Sequence, residues 1–442
     1  MSNTPDLIRG NPKQLFFKYL LPSISATLVT SIYILADSII IGKGVGSDGI
    51  AALNIILPLF SFYFALGILF GVGGGILFSV SQGNDHPEQA RAYFTTALHL
   101  VILMAVIIFA LSNIFFKPLM YMLGANDSSY ALVSQYGIYI TRFCFVFMIV
   151  NFLQAFVRND KAPRRAMAAT IAGGITNVVL DLVFIYVLNM GMAGGAIATV
   201  LGNLLNLAIL LTHFFSKGCT LKPIRVTGWL RNAKKIFQSG ISSFLLDVAS
   251  GIVILIFNVQ ILRYIGETGL VVYSIISNSV LIANSFFNGV SQAVQPLTAS
   301  NFGAHKLGRV REFRRIAVIT VGIFGILFTA IGLAFPGVII DIFVVSTPEI
   351  MAMGQVAIRL YFTALIFMSL NILLITYLQS TLKALHALIL SLLRGFILCT
   401  LFIFLFPVIF GTTSIWLVMP CTEILTMLAA LWFVRKNDEK EI

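Results

Sequence analysis

The stretch YILADSIIIGKG, Tyr33 to Gly44, closes an apolar run that begins at Leu15, and it carries the carboxylate of Asp37 inside that run. A helix crossing a hydrocarbon layer of about 30 Å needs about 20 apolar residues. Leu15–Ile41 is long enough, and similar runs recur at Ala51–Ser81, Ala92–Phe115, Ala131–Val157, Arg165–Leu188, Ala193–Phe215, Ile236–Leu262, Leu270–Ser300, Ile316–Pro336, Met353–Gln379, Leu385–Phe410 and Thr413–Val434. The 442 residues are 58% hydrophobic and 10% charged, where soluble domains carry roughly 25% charged residues. The pattern predicts an all-α polytopic membrane protein with twelve transmembrane helices.

The net charge of +12 at first suggests a nucleic-acid partner. Its distribution excludes that class. Sorting the loops alternately by side places 23 of the 29 Lys and Arg on one face, with clusters at Arg158–Arg165, Lys217–Lys235 and Lys306–Arg315. Basic residues collect on the cytoplasmic side of a membrane, so both termini are expected there, and the partner is the lipid bilayer. No cleavable signal peptide is evident, because the first run is too long and no small-residue cleavage site follows. Cys144, Cys219, Cys399 and Cys421 show no CxxC spacing, and the five histidines show no ligand spacing, so neither a disulfide framework nor a zinc site is expected. An enzyme would need a nucleophile–base or metal constellation, and none is visible.

The chain repeats itself at an offset of 220 residues, which pairs Gly46 with Gly266, Gly83 with Gly303, Arg91 with Arg311, FMIVN at 147–151 with FMSLN at 367–371, and Gly191 with Gly411. Six runs precede a basic, Pro-containing linker and six follow it. The expected division is 1–215 for an N-terminal six-helix bundle, 216–235 for a cytoplasmic linker and 236–442 for a C-terminal bundle. An even number of spans gives both bundles one orientation, related by a pseudo-two-fold along the membrane normal, as in transporters that rock two bundles about a central site.

Four acids fall inside spans: Asp37, Asp181, Asp247 and Glu423. An Asp near mid-helix costs about 2.5–3.5 kcal/mol, while the Leu, Ile, Phe and Val of the first run together return roughly 4–8 kcal/mol, so the helix inserts despite Asp37. An intramembrane acid is a functional-site hypothesis by default. With the basic side cytoplasmic, Asp37 lies about 6 Å, Asp181 about 10 Å and Thr199 about 9 Å below the outer ends of their helices. Tyr136 enters from outside on the fourth span. Asn177 sits one turn from Asp181 on the same face. A carboxylate withdrawn from water holds a proton more readily, so the group suits H⁺. Alternatively, oxygens of Asp37, Asn177, Asp181 and Thr199 suit Na⁺, by analogy with other hard cations. At the repeat offset Asp37 faces Phe257 and Asp181 faces Leu401, which places ion coupling in the first half alone. Asp247 or Glu423 can neutralise Arg394. Thr27, Thr30 and Ser31 share a side of the first helix with Asp37 and are expected to line a cavity, as is a polar stripe on the eighth span formed by Asn284, Asn288, Ser291, Gln292 and Gln295. Pro22 can kink the first helix and is a candidate gate or hinge. The glycines of FGVGGG, 70–75, read as close helix packing or a hinge rather than as a phosphate loop.

These motifs resemble the multidrug and toxic compound extrusion (MATE) family, in its bacterial DNA-damage-inducible-protein-F-type branch. The resemblance spans the chain and rests on ADSIIIGKGVG from Ala36, RNDKAPRRAM from Arg158, and NVVLDLVFIYVLNMGMAGGAIAT from Asn177 to Thr199. It implies a V-shaped pair of six-helix bundles in a bacterial cell membrane, working as a monomer. It further implies export of organic cations in exchange for H⁺ or Na⁺, with no cofactor beyond the coupling ion. The coupling pattern maps onto Asp37, Tyr136, Asn177, Asp181 and Thr199. Phe257 and Leu401 depart from branches that carry acids in the second half. The rival function is a lipid-linked oligosaccharide flippase of the same superfamily, which would want a basic central cavity.

Overall fold

The computed structural model describes residues 6–440, with side chains to residue 437; residues 1–5 and 441–442, at the outer ends of the two expected halves, lie outside the described residues. The described chain contains helices and no strand. Inside a bilayer the backbone must satisfy its own hydrogen bonds, and a helix does this within one segment. Eleven single helices are long and apolar enough to cross, and a twelfth crossing is a pair bent by 52°. In order they are α1 (Pro12–Gly44), α2 (Ser47–Gly83), α3 (Pro87–Ile114), α4 (Tyr130–Arg142 with Cys144–Asn159), α5 (Pro163–Val187), α6 (Gly191–Phe215), α7 (Trp229–Tyr264), α8 (Glu267–Gly303), α9 (Leu307–Ala334), α10 (Pro348–Ser380), α11 (Ala384–Phe410) and α12 (Thr412–Asn437). All twelve expected runs are helical, and most helices extend beyond the run by a turn or more.

Local chemistry sets the helix ends. Proline, which needs no partner for a missing N–H at the first turn, opens α1, α3, α5 and α10. The Asn11 side chain accepts from the N–H groups of Lys13 and Gln14 at 3.0 and 3.3 Å, which caps α1. On α3, Ile102, Leu103, Val106 and Phe109 are exposed at helical spacing, so one stripe faces lipid.

The 220-residue repeat is a repeat of structure. Gly46 and Gly266 precede α2 and α8 with φ of +97° and +95°, a backbone open mainly to glycine, and Asp85 and His305 take φ of +54° and +55° in the matching tight turns. The helix break at Phe143 in α4 recurs at Thr363 in α10. Short helices at Phe116–Met122 and Pro336–Phe343 also correspond. Six-helix bundles related by a pseudo-two-fold along the membrane normal are therefore the architecture.

The two halves meet along a seam on the side that carries the chain termini. There, a Cβ on Gly83 would collide with the Ser300 carbonyl, and one on Gly303 with that of Val80. This is the same close contact made twice across the pseudo-two-fold. Gly73, within the glycine run of α2, faces the Ile236 carbonyl on α7 in the same way, so the run serves close packing. Each first helix also lends its terminal-side part to the opposite core: Leu15, Phe16, Tyr19 and Leu20 of α1 pack with the second half, and Ile236 of α7 packs with the first. At mid-height Thr27 Oγ1 donates to the Ser285 carbonyl at 2.7 Å and Ser31 Oγ meets Ser285 Oγ at 2.5 Å. Among the described residues no hydrogen bond joins the halves beyond that level, on the side away from the termini.

Candidate functional site

Paired glycines bring the polar residues of the first half together. Gly173 and Gly202 put the backbones of α5 and α6 in contact, each carbonyl 2.7 Å from where a Cβ on the other glycine would lie, and Gly174 receives Tyr33 and Val29 of α1. Small residues at a helix crossing permit this approach. One turn further along α5, Asn177 Nδ2 donates to Thr199 Oγ1 of α6 at 3.4 Å, and the Tyr136 hydroxyl of α4 meets the same Thr199 oxygen at 3.3 Å. Asp181 is fully buried, and Asn177, Tyr136 and Thr199 are 3%, 3% and 5% exposed. Asp37, half-buried on α1, completes the group: its carboxyl and that of Asp181 lie within hydrogen-bonding reach, and both sit beside Tyr136. All five residues singled out by sequence thus converge.

The oxygens at this site have too few donors. Asp37 Oδ1, both Asp181 oxygens and Asn177 Oδ1 are buried without a donor, counting both acids as ionised. Buried polar atoms are nearly always paired, and two adjacent carboxylates repel. Such a set is satisfied by adding positive charge. One proton between Asp37 and Asp181 turns the carboxyl contact into a hydrogen bond, whereas a hard cation would draw on all four oxygens together with Thr199 Oγ1. Asp181 also ends the regular part of α5, because a π-helical turn follows at Leu182–Val187. Such turns concentrate at functional sites.

The residues expected to line a cavity are dispersed. Thr27 and Ser31 bond to Ser285 across the seam, whereas Thr30 Oγ1 bonds to Ala26 of its own helix. Asn284 is half-buried and Asn288 exposed. Gln292 Oε1 accepts from Arg158 Nη1 at 2.7 Å, which puts it in the closed seam, and Gln295 is buried with Nε2 unpartnered. Pro22 is buried inside α1, two residues before Ile24, which packs on Gly289 of α8.

The second half has a polar centre of its own, and Glu423 resolves the question about Arg394. Arg394 Nε donates to Glu423 Oε1 at 2.7 Å, and Asn371 Nδ2 donates to Glu423 Oε2 at 2.7 Å. Arg394 sits in a second π-helical turn, Leu393–Ile397. Asp247 takes no part in this pair.

Sequence spacing missed a group on the terminal face that joins Asp160, His213 and Cys219. His213 Nε2 contacts Asp160 Oδ2 at 2.7 Å, while Arg165 Nη1 reaches His213 Nδ1 at 3.2 Å. Arginine only donates, so Nδ1 accepts and Nε2 carries the proton to Asp160. A metal on Nε2 would need that position. The group works instead as an anchor: Asp160 also accepts from the backbone N–H and hydroxyl of Thr220, fastening the linker to the first half. Ser285 and Arg158 were missed too, because hydropathy reports depth in the membrane and not which neighbour a side chain faces.

Two similar six-helix halves, joined on one side and carrying an unneutralised acid pair inside one of them, define a polytopic membrane transporter. The chain belongs to the MatE family, whose model matches residues 22–183 and 239–405. It is 25% identical over 418 residues to the multidrug export protein MepA of Staphylococcus aureus, covering 94% of this chain and 91% of that protein. Among solved structures it resembles an outward-facing multidrug resistance MATE transporter of the MOP superfamily, with TM-score 0.93 and 20% identity over 100% of this chain and 99% of that one. It also resembles a MOP superfamily transporter from Pyrococcus furiosus described as having a binding pocket of reverse polarity that suggests a different function, with TM-score 0.91 and 21% identity over 98% of each chain.

Proposed function

We propose that the chain is a secondary antiporter that exports organic cations from a bacterial cell as H⁺ or Na⁺ enters. The observation that carries this reading is the Asp37–Asp181 contact, set among four buried oxygens that lack donors and so favour the uptake of positive charge. Ion and cargo favour opposite-facing states, so the ion's downhill movement drives the cargo uphill. Relatives named as multidrug exporters support a broad cargo range. The relative whose reversed pocket polarity is described as suggesting a different function supports weighing the charges of this chain when its cargo is read. Here two acids lie in the first half, while Arg394 is neutralised by its own Glu423, which supports a cationic cargo over an anionic lipid-linked one. The basic face that carries both termini is assigned to the cytoplasm, and one chain holds the whole site, which supports a functional monomer.

In everted vesicles with an imposed gradient, Asp37→Asn and Asp181→Asn are each expected to insert and fold normally yet lose gradient-driven uptake of a cationic dye. Replacing Na⁺ by K⁺ at fixed pH then identifies the ion. Normal uptake in either variant would refute the coupling role.

A further inference from the structure

The triplet Arg158-Asn159-Asp160 closes α4, and the ion site does not explain it. Its residues tie α4 to three different places. Asp160 holds His213 and the linker. Asn159 Oδ1 accepts from Ser79 Oγ of α2 at 2.7 Å, and Gly75 of the same helix leaves it room, since a Cβ there would lie 2.9 Å from Asn159 Nδ2. Arg158 points the other way, across the seam to Gln292 of α8.

Arg158 is 8% exposed, no acid among the described residues pairs with it, and its Nε is buried without an acceptor. On the helices that meet there, Tyr19 Oη and Ser23 Oγ of α1 and Ser291 Oγ, Gln295 Nε2 and Thr298 Oγ1 of α8 are likewise buried and unpartnered. A seam closed permanently would be more stable if it were apolar, because an uncompensated buried charge is costly. A seam that parts and hydrates gives every one of these groups a partner.

Resting on the transporter reading, we infer that Arg158 is the gate on the termini-bearing half of the transport path. With the halves together it bridges to Gln292 and holds a fixed positive charge across the closed seam. A cation between the halves on the side away from the termini then meets a repulsive barrier, as fixed positive groups exclude cations in other membrane pores. With the halves apart the guanidinium is hydrated and lines the opened path.

The test uses Thr298→Cys as a reporter in full-length chain whose four cysteines are replaced by serine. A membrane-impermeant maleimide is added to the termini-bearing side of vesicles without gradient or cargo, so the result does not depend on antiport. Arg158→Gln removes the charge that the closed seam leaves short of acceptors and is expected to lower the labelling rate severalfold, while Arg158→Lys keeps the charge and should label like the parent. Gln292→Leu keeps the charge but takes away its acceptor, so it should raise the rate severalfold, and it decides the matter if Arg158→Gln does not fold. Unchanged labelling in folded Arg158→Gln or Gln292→Leu overturns the gate. The ratio of downhill leak of a permanently cationic dye to that of a neutral one of equal size should rise in Arg158→Gln, and an unchanged ratio overturns the charge barrier.

Discussion

The two halves share one backbone plan and hold opposite polar centres. In the second, the Glu423 carboxylate receives two hydrogen bonds, one from Arg394 and one from Asn371, and the centre carries its own counter-charge. In the first, Asp37 and Asp181 face each other with no cation beside them among the described residues, and the Thr199 hydroxyl is reached by contacts of 3.3 and 3.4 Å, beyond the usual range for such bonds. Both centres lie beside a π-helical turn, at Leu182–Val187 and Leu393–Ile397. The difference teaches that the fold tolerates intramembrane charge in two ways. A finished pair fixes a bundle, whereas an unfinished one, on the antiport reading proposed above, borrows its charge from solution and gives it back.

Three experiments bear on that contrast. The largest effect is expected on stability in the second half. Glu423→Gln leaves Arg394 without its partner and should cost about 3–5 kcal/mol, the range for breaking a buried pair. Arg394→Met combined with Glu423→Leu should recover most of it and keep gradient-driven efflux. Denaturation in detergent reads this, and a fully stable single variant would break the contrast. A smaller effect is expected from Gly202→Ala, whose Cβ would lie 2.7 Å from the Gly173 carbonyl and 2.9 Å from Asn177 Cβ. Overpacking of that kind costs about 1–3 kcal/mol and should separate Asn177 from Thr199, lowering both Tm and ion affinity. The smallest comes from Thr199→Val, which removes a hydroxyl worth about 0.5–1.5 kcal/mol. Ion titration should then show a few-fold loss for Na⁺ and little change for H⁺, because a proton needs one carboxyl contact and a metal ion needs several oxygens. Equal affinity for Na⁺ would reduce Thr199 to packing.

Much of this was legible from residue types alone. Backbone satisfaction in lipid leaves helices as the only choice for such runs, so all twelve spans followed from hydropathy. The 220-residue offset foretold details as fine as the matched φ values at Gly46 and Gly266. Asp37, Asn177, Asp181 and Thr199 could be grouped because helical rise converts position into depth. Direction around the helix axis was harder. Gln292 and Thr27 share the polarity of cavity-lining residues but bond across the seam, and Arg158, grouped with the basic loops, is buried between the halves. Contacts between residues more than a hundred positions apart, such as Arg158 with Gln292, leave no local pattern, and neither do the π-helical turns, which arise from packing.

The linker's attachment has a mechanical consequence. Thr220 is held by Asp160, and the Ile224 N–H by Thr95 Oγ1 at 3.0 Å, both in the first half, while α7 starts at Trp229. Five residue steps remain, about 17 Å when pulled straight. This segment is a leash of known length. Whatever travel the second bundle makes, the foot of α7 stays within that radius of Ile224, so the stroke has a built-in stop.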